Sequence, residues 1–196
     1  MKTSLIKPAL KKSLTLFELI IAISLLSVLI LAFSSMELFS RRHVLTLDRQ
    51  AQLQNEASFA LEHMRKNIVM AIGNMSDTPM RFYPDNRGIR IRIDDTPANG
   101  RVDATDTWIG YRHVGSQILF LPNDPPPGGP SPNSVVIANH ILTTDPGGLT
   151  IVMPAINQLN ITVEARWVPN PATPVSLDNP TVILTTSIIA PAVSTN

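Results

Sequence analysis

The 196-residue chain has no cysteine, which removes a disulfide framework, a thiolate metal site and a cysteine nucleophile together. Glycine is scarce at 9 residues against 17 prolines, and charged residues make up only 16%. The basic excess is confined to the N-terminus. Lys2, Lys7, Lys11 and Lys12 precede residue 14 with no acid among them, and from residue 14 onward 12 basic and 15 acidic residues leave a formal charge of −3. A nucleic-acid footprint of clustered Lys and Arg is therefore absent. The sequence also lacks a G-x-S-x-G elbow, a P-loop and a Rossmann glycine pattern. His43, His63, His113 and His140 show no paired metal-ligand spacing, which leaves them surface or packing roles.

What is present begins with KKSLTLFELIIAISLLSVLILAF, residues 11 to 33. Leu14 to Phe33 is an apolar run with one charge, Glu18, and at about 1.5 Å per residue it is long enough to cross a hydrocarbon core. The lysines before it place the N-terminus in the cytoplasm and the body outside. A secretory signal peptide starts in the same way, but its core is shorter and closes on a small-x-small site. Only Ala32-Phe33-Ser34 approaches one here.

No glycine occurs before Gly73 and no proline lies between Pro8 and Pro79, so nothing interrupts a helix beyond the apolar run. Leu53, Ala57, Ala60, Leu61, Met64, Ile68, Ala71 and Ile72 recur at spacings of three and four, the period of a helix with one buried face. Gly73 and Asn74 supply a stop. The reading is one helix from Leu14 to Ile72, lipid-like in its first third and amphipathic after it.

This architecture, with SLTLFEL at residues 13 to 19 set beside the pattern G-F-T-L-x-E-L, resembles the type IV pilin superfamily, including the pseudopilins of type II secretion. Thr15, Leu16 and Glu18 match the pattern, whereas Ser13 stands where glycine is usual and Leu14 where phenylalanine is commonest. The resemblance implies cleavage between Ser13 and Leu14 by a prepilin peptidase, methylation of the new Leu14 amine, and Glu18 as the assembly glutamate at the fifth mature position. An ammonium and a carboxylate are tolerable together and costly apart in a low-dielectric bundle. Glu18 would thus pair with the terminal amine of an adjacent subunit and set axial register. The plainer alternative is a glutamate that complements the helix macrodipole and reaches toward the headgroups.

Strand-like runs follow: GIRIRID (88 to 94), TWIGYRHV (107 to 114), QILFLP (117 to 122), SVVIANHI (134 to 141), LTIVMPA (149 to 155), NITVEARWV (160 to 168) and TVILTTSIIA (181 to 190). Gly115-Ser116 reads as a tight turn, and the Ile/Arg alternation of the first run as a half-exposed strand. Seven strands suggest one or two antiparallel sheets with the amphipathic helix packed on them, an α+β pilin-like head. Trp108 and Trp167 are expected in the core. Proline-rich connections at 124 to 133 and 168 to 180 are expected on the surface.

Asp94, Asp95, Asn99, Asp103 and Asp106 crowd one connection and are candidate calcium ligands, although the spacing misses the EF-hand pattern and Asn99-Gly100 suits a turn. No other cofactor is implied. The organisation expected is a leader at 1–13, a membrane or filament-core segment at 14–33, an amphipathic segment at 34–72 and an extracytoplasmic β-rich head at 73–196. The resemblance implies a non-enzymatic minor pilin or minor pseudopilin of the inner membrane, close to J-type pseudopilins or W-type minor pilins. Its partners would be other minor subunits, the peptidase and a membrane assembly platform. The competing expectation is a signal-anchored extracytoplasmic enzyme or binding domain for which the helix is a tether.

Overall fold

The computed structural model describes residues 15–73, 78–94, 102–124, 133–144, 147–155 and 158–189. It divides into two compact units, Met1–His43 and Val44–Asn196. The leader, the cleavage positions Ser13 and Leu14, the candidate ligands Asp95 and Asn99, and Asn74 lie outside the described residues.

One helix, α1 (Leu16–Val69), runs through the glycine- and proline-free stretch. It starts two residues later and stops three residues earlier than its apolar period suggests. Its last turn tightens through the Met70 N–H to Asn67 O and Ala71 N–H to Ile68 O bonds, and Lys66 offers a positive charge to the helix C-terminus. The Ile72 N–H then donates to Arg92 O, and Ala71 bridges to Ile93, so pairing with a strand replaces the last helical bonds.

Eight strands follow among the described residues: β1 (Met80–Phe82), β2 (Gly88–Ile93), β3 (Thr107–Val114), β4 (Gln117–Leu121), β5 (Val135–Ala138), β6 (Leu149–Ala155), β7 (Gln158–Arg166) and β8 (Thr181–Ile189). They form two sheets, ordered β1-β2-β3-β4-β5 and β6-β7-β8, and every pairing is antiparallel. Sequence reasoning missed β1, because three residues are too few to carry an alternation. The β3–β4 hairpin closes on Gly115, whose φ of +61° suits the first position of a II′ turn that Ser116 completes.

Within the second unit, Leu53, Ala57, Ala60, Met64 and Ile68 of α1 are fully buried, together with Ile89, Ile91, Tyr111, Ile118, Leu159, Ile161 and Val163 from the sheets. Strand β7 alternates without a break, Leu159, Ile161, Val163 and Ala165 inward and the residues between them half exposed. Of the helical face expected from the sequence, Ile72 alone is only half buried. Trp108 is buried, and Trp167 packs against the core from a partly buried position.

The expectation that fails is a half-exposed β2. Arg90 and Arg92 are 7% and 8% exposed, and five of the six residues of this strand are buried. The arginines are covered on their own face of the sheet by Tyr83, Trp108 and Asp124.

Replacing Met64 by Ala removes a fully buried side chain, and the detergent-solubilised chain should lose about 2–5 kcal/mol in urea unfolding. Glu62→Ala, on the exposed face, should move the midpoint hardly at all.

Candidate functional site

Of the residues singled out by the N-terminal motif, Thr15, Leu16 and Glu18 are described. Thr15 is the last non-helical residue and Leu16 the first helical one. The Thr15 backbone N–H donates to Glu18 Oε2 at 2.9 Å, and the Thr15 hydroxyl donates to the same oxygen at 3.0 Å. The Glu18 N–H contacts Thr15 Oγ1 at 3.3 Å. Side chain and backbone thus satisfy each other reciprocally across three residues, the arrangement of a capping box. The spacing T-x-x-E was present in the sequence as a helix-start signal beside the family motif. Glu18 therefore has a definite role inside one chain, and its carboxylate is exposed.

The apolar side chains that follow are unpartnered in this structure: Leu19, Ile20, Ile23, Leu26, Ile30 and Phe33 are among many that are more than half exposed. Exposure continues past residue 33 through Met36, Leu38, Phe39, Val44, Leu45 and Leu47. By length and composition α1 can cross a membrane. Two serines in its apolar run are satisfied by the helix itself. Ser24 and Ser27 donate to Ile20 O and Ile23 O at 2.8 Å each, as a helix in a medium without water requires.

The Asp-rich connection does not assemble a cation site among its described members. Asp103 Oδ1 accepts from the Thr105 N–H (2.9 Å) and the Thr105 hydroxyl (2.6 Å), while Asp106 Oδ2 accepts from the Asp103 N–H at 2.9 Å. These are local turn bonds, made by one oxygen of each carboxylate. Among the described residues no group of three or more His, Asp or Glu converges on one point.

Three histidines take structural places in the second unit. His63 Nδ1 lies 2.7 Å from the Tyr111 hydroxyl, which also accepts from Asn67 Nδ2. His140, held at a φ of +58°, stacks on Trp167 with ring centroids 5.1 Å apart and lies 3.3 Å from Glu56 Oε2. His113 is buried beside Gly148, where a Cβ would meet its ring at 2.7 Å. His43, on the first unit, packs edge-on against Phe39.

Two polar clusters were not legible in the sequence. In the first, Asp124 is 2% exposed and accepts from Arg90 Nε at 2.9 Å and from the Tyr83 hydroxyl. Burial first, and then the bond to Asp124, push the Tyr83 phenol well above its usual range. Arg90 and Arg112 also lie over the Tyr83 ring, 4.1 and 5.3 Å from its centroid. Gly110 is required beneath this cluster, because a Cβ there would meet both Tyr83 and Asp124 within 3 Å. In the second, Arg49 sits 5.2 Å from the Trp167 centroid and donates to Asp178 O at 2.7 Å, while Thr46 donates to Leu177 O at 2.8 Å. The proline-rich connection at 168–180 is thereby fastened to α1 within the second unit.

A cleft of about 570 Å³ opens between the β1–β2 turn and β6, lined by Phe82, Asp85, Arg87, His113, Leu149 and Ile151 among others. Burial alone would raise the Asp85 carboxyl, but hydrogen bonds from Arg112 and the Arg87 N–H outweigh it and hold it below its usual value. Asp85 is thus committed to Arg112 at 2.7 Å, and no second carboxylate among the described lining residues faces it to form an acid–base pair. No family model, curated protein or solved structure matches the chain.

Burial, and secondarily Lys66, lower the His63 pKa from 6.5, so the folded state binds a proton less readily than the unfolded chain. Stability from this group is present above pH 6.5 and falls as the pH drops below it, until the folded-state pKa is passed. The urea midpoint of the wild-type chain should decline between pH 7.5 and 5, and His63→Gln should flatten that decline. Asp124→Ala, which strands the buried Arg90 guanidinium, should cost about 3–5 kcal/mol at all of these pH values.

Proposed function

We propose that the chain is a minor pilin or minor pseudopilin, a non-enzymatic subunit that waits in the inner membrane and joins a short helical filament, where it primes assembly or forms the tip. The observation that supports this reading most is Glu18, an exposed carboxylate at the start of a helix whose following apolar side chains are uncovered for thirty residues, from Leu16 to at least Leu45. An acid in a spanning run costs about 2.5–3.5 kcal/mol at the helix centre and less toward its end, where Glu18 lies, and such residues are usually kept for a partner. Cleavage before Leu14 would generate that partner as an ammonium on a neighbouring protomer. The β-rich head, with its own core, would remain outside the membrane.

In one chain Thr15 supplies Glu18 with two donors, which keeps the carboxylate hydrogen-bonded until a neighbour arrives. Exchange of those neutral donors for an ammonium would replace bonds in which only the acceptor is charged with an ion pair in which both partners are. Insertion of the stem into a bundle would be coupled to that exchange. Methylation of the Leu14 amine by the prepilin peptidase keeps the charge. A membrane assembly platform and other minor subunits complete the partners.

A second reading is a tethered ligand-binding or enzymatic head, and the 570 Å³ cleft favours it. The two readings separate at the N-terminus. Sequencing of the membrane-extracted chain should begin at Leu14, whereas a start after Ser34 or an intact Met1 would support the tether. Glu18→Ala should leave membrane insertion intact and cut recovery in sheared filament fractions by about tenfold or more, the loss expected when a buried ion is left without its partner. Unchanged recovery would reject the filament role.

A further inference from the structure

Four strand edges close the two sheets, and three of them are blunted. Strand β1 has three residues and β5 four, while β6 contains Pro154. The fourth, β8, is different. Its nine residues, TVILTTSII, contain no charge, no proline and no glycine, and among the described residues β8 pairs only with β7. An edge of this length, flat in chemistry and unguarded, is one that soluble proteins usually protect.

The register shows which groups point outward. Glu164 N–H donates to Gly148 O and Leu142 N–H donates to Glu164 O, so the even-numbered residues of β7 direct their backbone groups toward β6 and its neighbour. Antiparallel ladders alternate, so the odd-numbered residues of β7 face β8. Their partners are Val182, Leu184, Thr186 and Ile188. Thr181, Ile183, Thr185, Ser187 and Ile189 are left with donors and acceptors aimed at the open edge, and the side chains of Ile183 and Ile189 are 60% and 70% exposed.

We infer that β8 pairs antiparallel with β8 of a second copy of this chain, about a two-fold axis through Thr185. Thr185 meets Thr185 of the second copy, Ile183 meets Ser187, and Thr181 meets Ile189. This register pairs every outward donor and acceptor. It brings no two charges together, because the strand has none. On the inward face Val182 comes opposite Ile188 and Leu184 opposite Thr186, so the half-exposed Leu184 gains cover from the second copy. The result is a continuous six-stranded sheet, β6-β7-β8-β8-β7-β6, with an isologous interface that closes on itself. A partner's unrelated strand would satisfy the backbone equally but would have no reason to centre on Thr185. This inference does not depend on the filament reading.

The absence of cysteine makes the test direct, since a single introduced thiol is the only one in the protein. The full chain, carrying Thr185→Cys or Thr181→Cys, is purified in detergent and treated with the shortest bis-maleimide reagent. Thr185 lies on the axis and should give a covalent dimer. Thr181 lies about 27 Å from its symmetry mate at the rise of a β-strand, and should give none. Ile183→Pro deletes one outward N–H on an edge where proline is tolerated, and should abolish the Thr185→Cys cross-link without loss of protease resistance. No cross-link at residue 185, or equal cross-linking at 181 and 185 as side-by-side parallel copies would give, overturns the proposal. If the proline variant fails to fold, the contrast between the two thiols still decides.

Discussion

The packing of one face of α1 on the two sheets is the constraint from which the rest of the second unit follows. Each sheet offers a single apolar face, and neither could remain open in water. Leu53, Ala57, Ala60, Met64 and Ile68 place a stripe of small and large side chains in one buried cluster with residues from both sheets. The bonds at the helix C-terminus then carry the chain straight into the β2 ladder through Ile72 and Arg92. Helix and sheet are consequently joined by backbone as well as by side chains. Tyr111, fully buried on β3, extends this joint into a polar one by meeting His63 and Asn67 on the helix.

The fold was legible where a period expressed one cause. The buried face of α1 follows from its spacing of three and four, and β3 and β6 begin and end where their apolar runs do, because burial alone selects those residues. Strand β2 was misread for a specific reason. The sequence I-R-I-R looks like one wet face, but the partner that removes Arg90 from water is Asp124, 34 residues later in a proline-rich connection. A local pattern cannot carry such a pairing. The same is true of Arg49, whose partners at Trp167 and Asp178 lie far along the chain. By contrast the Thr15–Glu18 box was visible as a spacing, although the same two residues also belong to the N-terminal motif and the second meaning obscured the first.

The buried polar groups explain why the head tolerates so many prolines and connections. Asp124 sits where β4 gives way to the connection that follows, with its N–H bonded to Trp108 O and its carboxylate to Arg90 and Tyr83. Such a cluster gains little over an apolar one in net stability, but an alternative arrangement of the loop would leave a guanidinium buried without a counterion. Apolar packing tolerates small slips; a buried ion pair does not. Arg49 and Thr46 act similarly on the 168–180 connection, at lower stakes, because Asp178 is largely exposed.

Glu18 illustrates the opposite use of a charge. In a single chain its carboxylate is satisfied by Thr15, and both partners belong to the same helical turn. The capped state is thus self-sufficient, and it holds the acid near the helix terminus where the macrodipole favours a negative charge. Any partner that takes the carboxylate away must offer more than two neutral donors, and it must do so where water does not compete. An ammonium in an apolar bundle meets both conditions, and an ammonium in water fails the second. On the filament reading, the cap would act as a threshold, leaving the stem indifferent to cations in solution and responsive to one delivered inside packed helices.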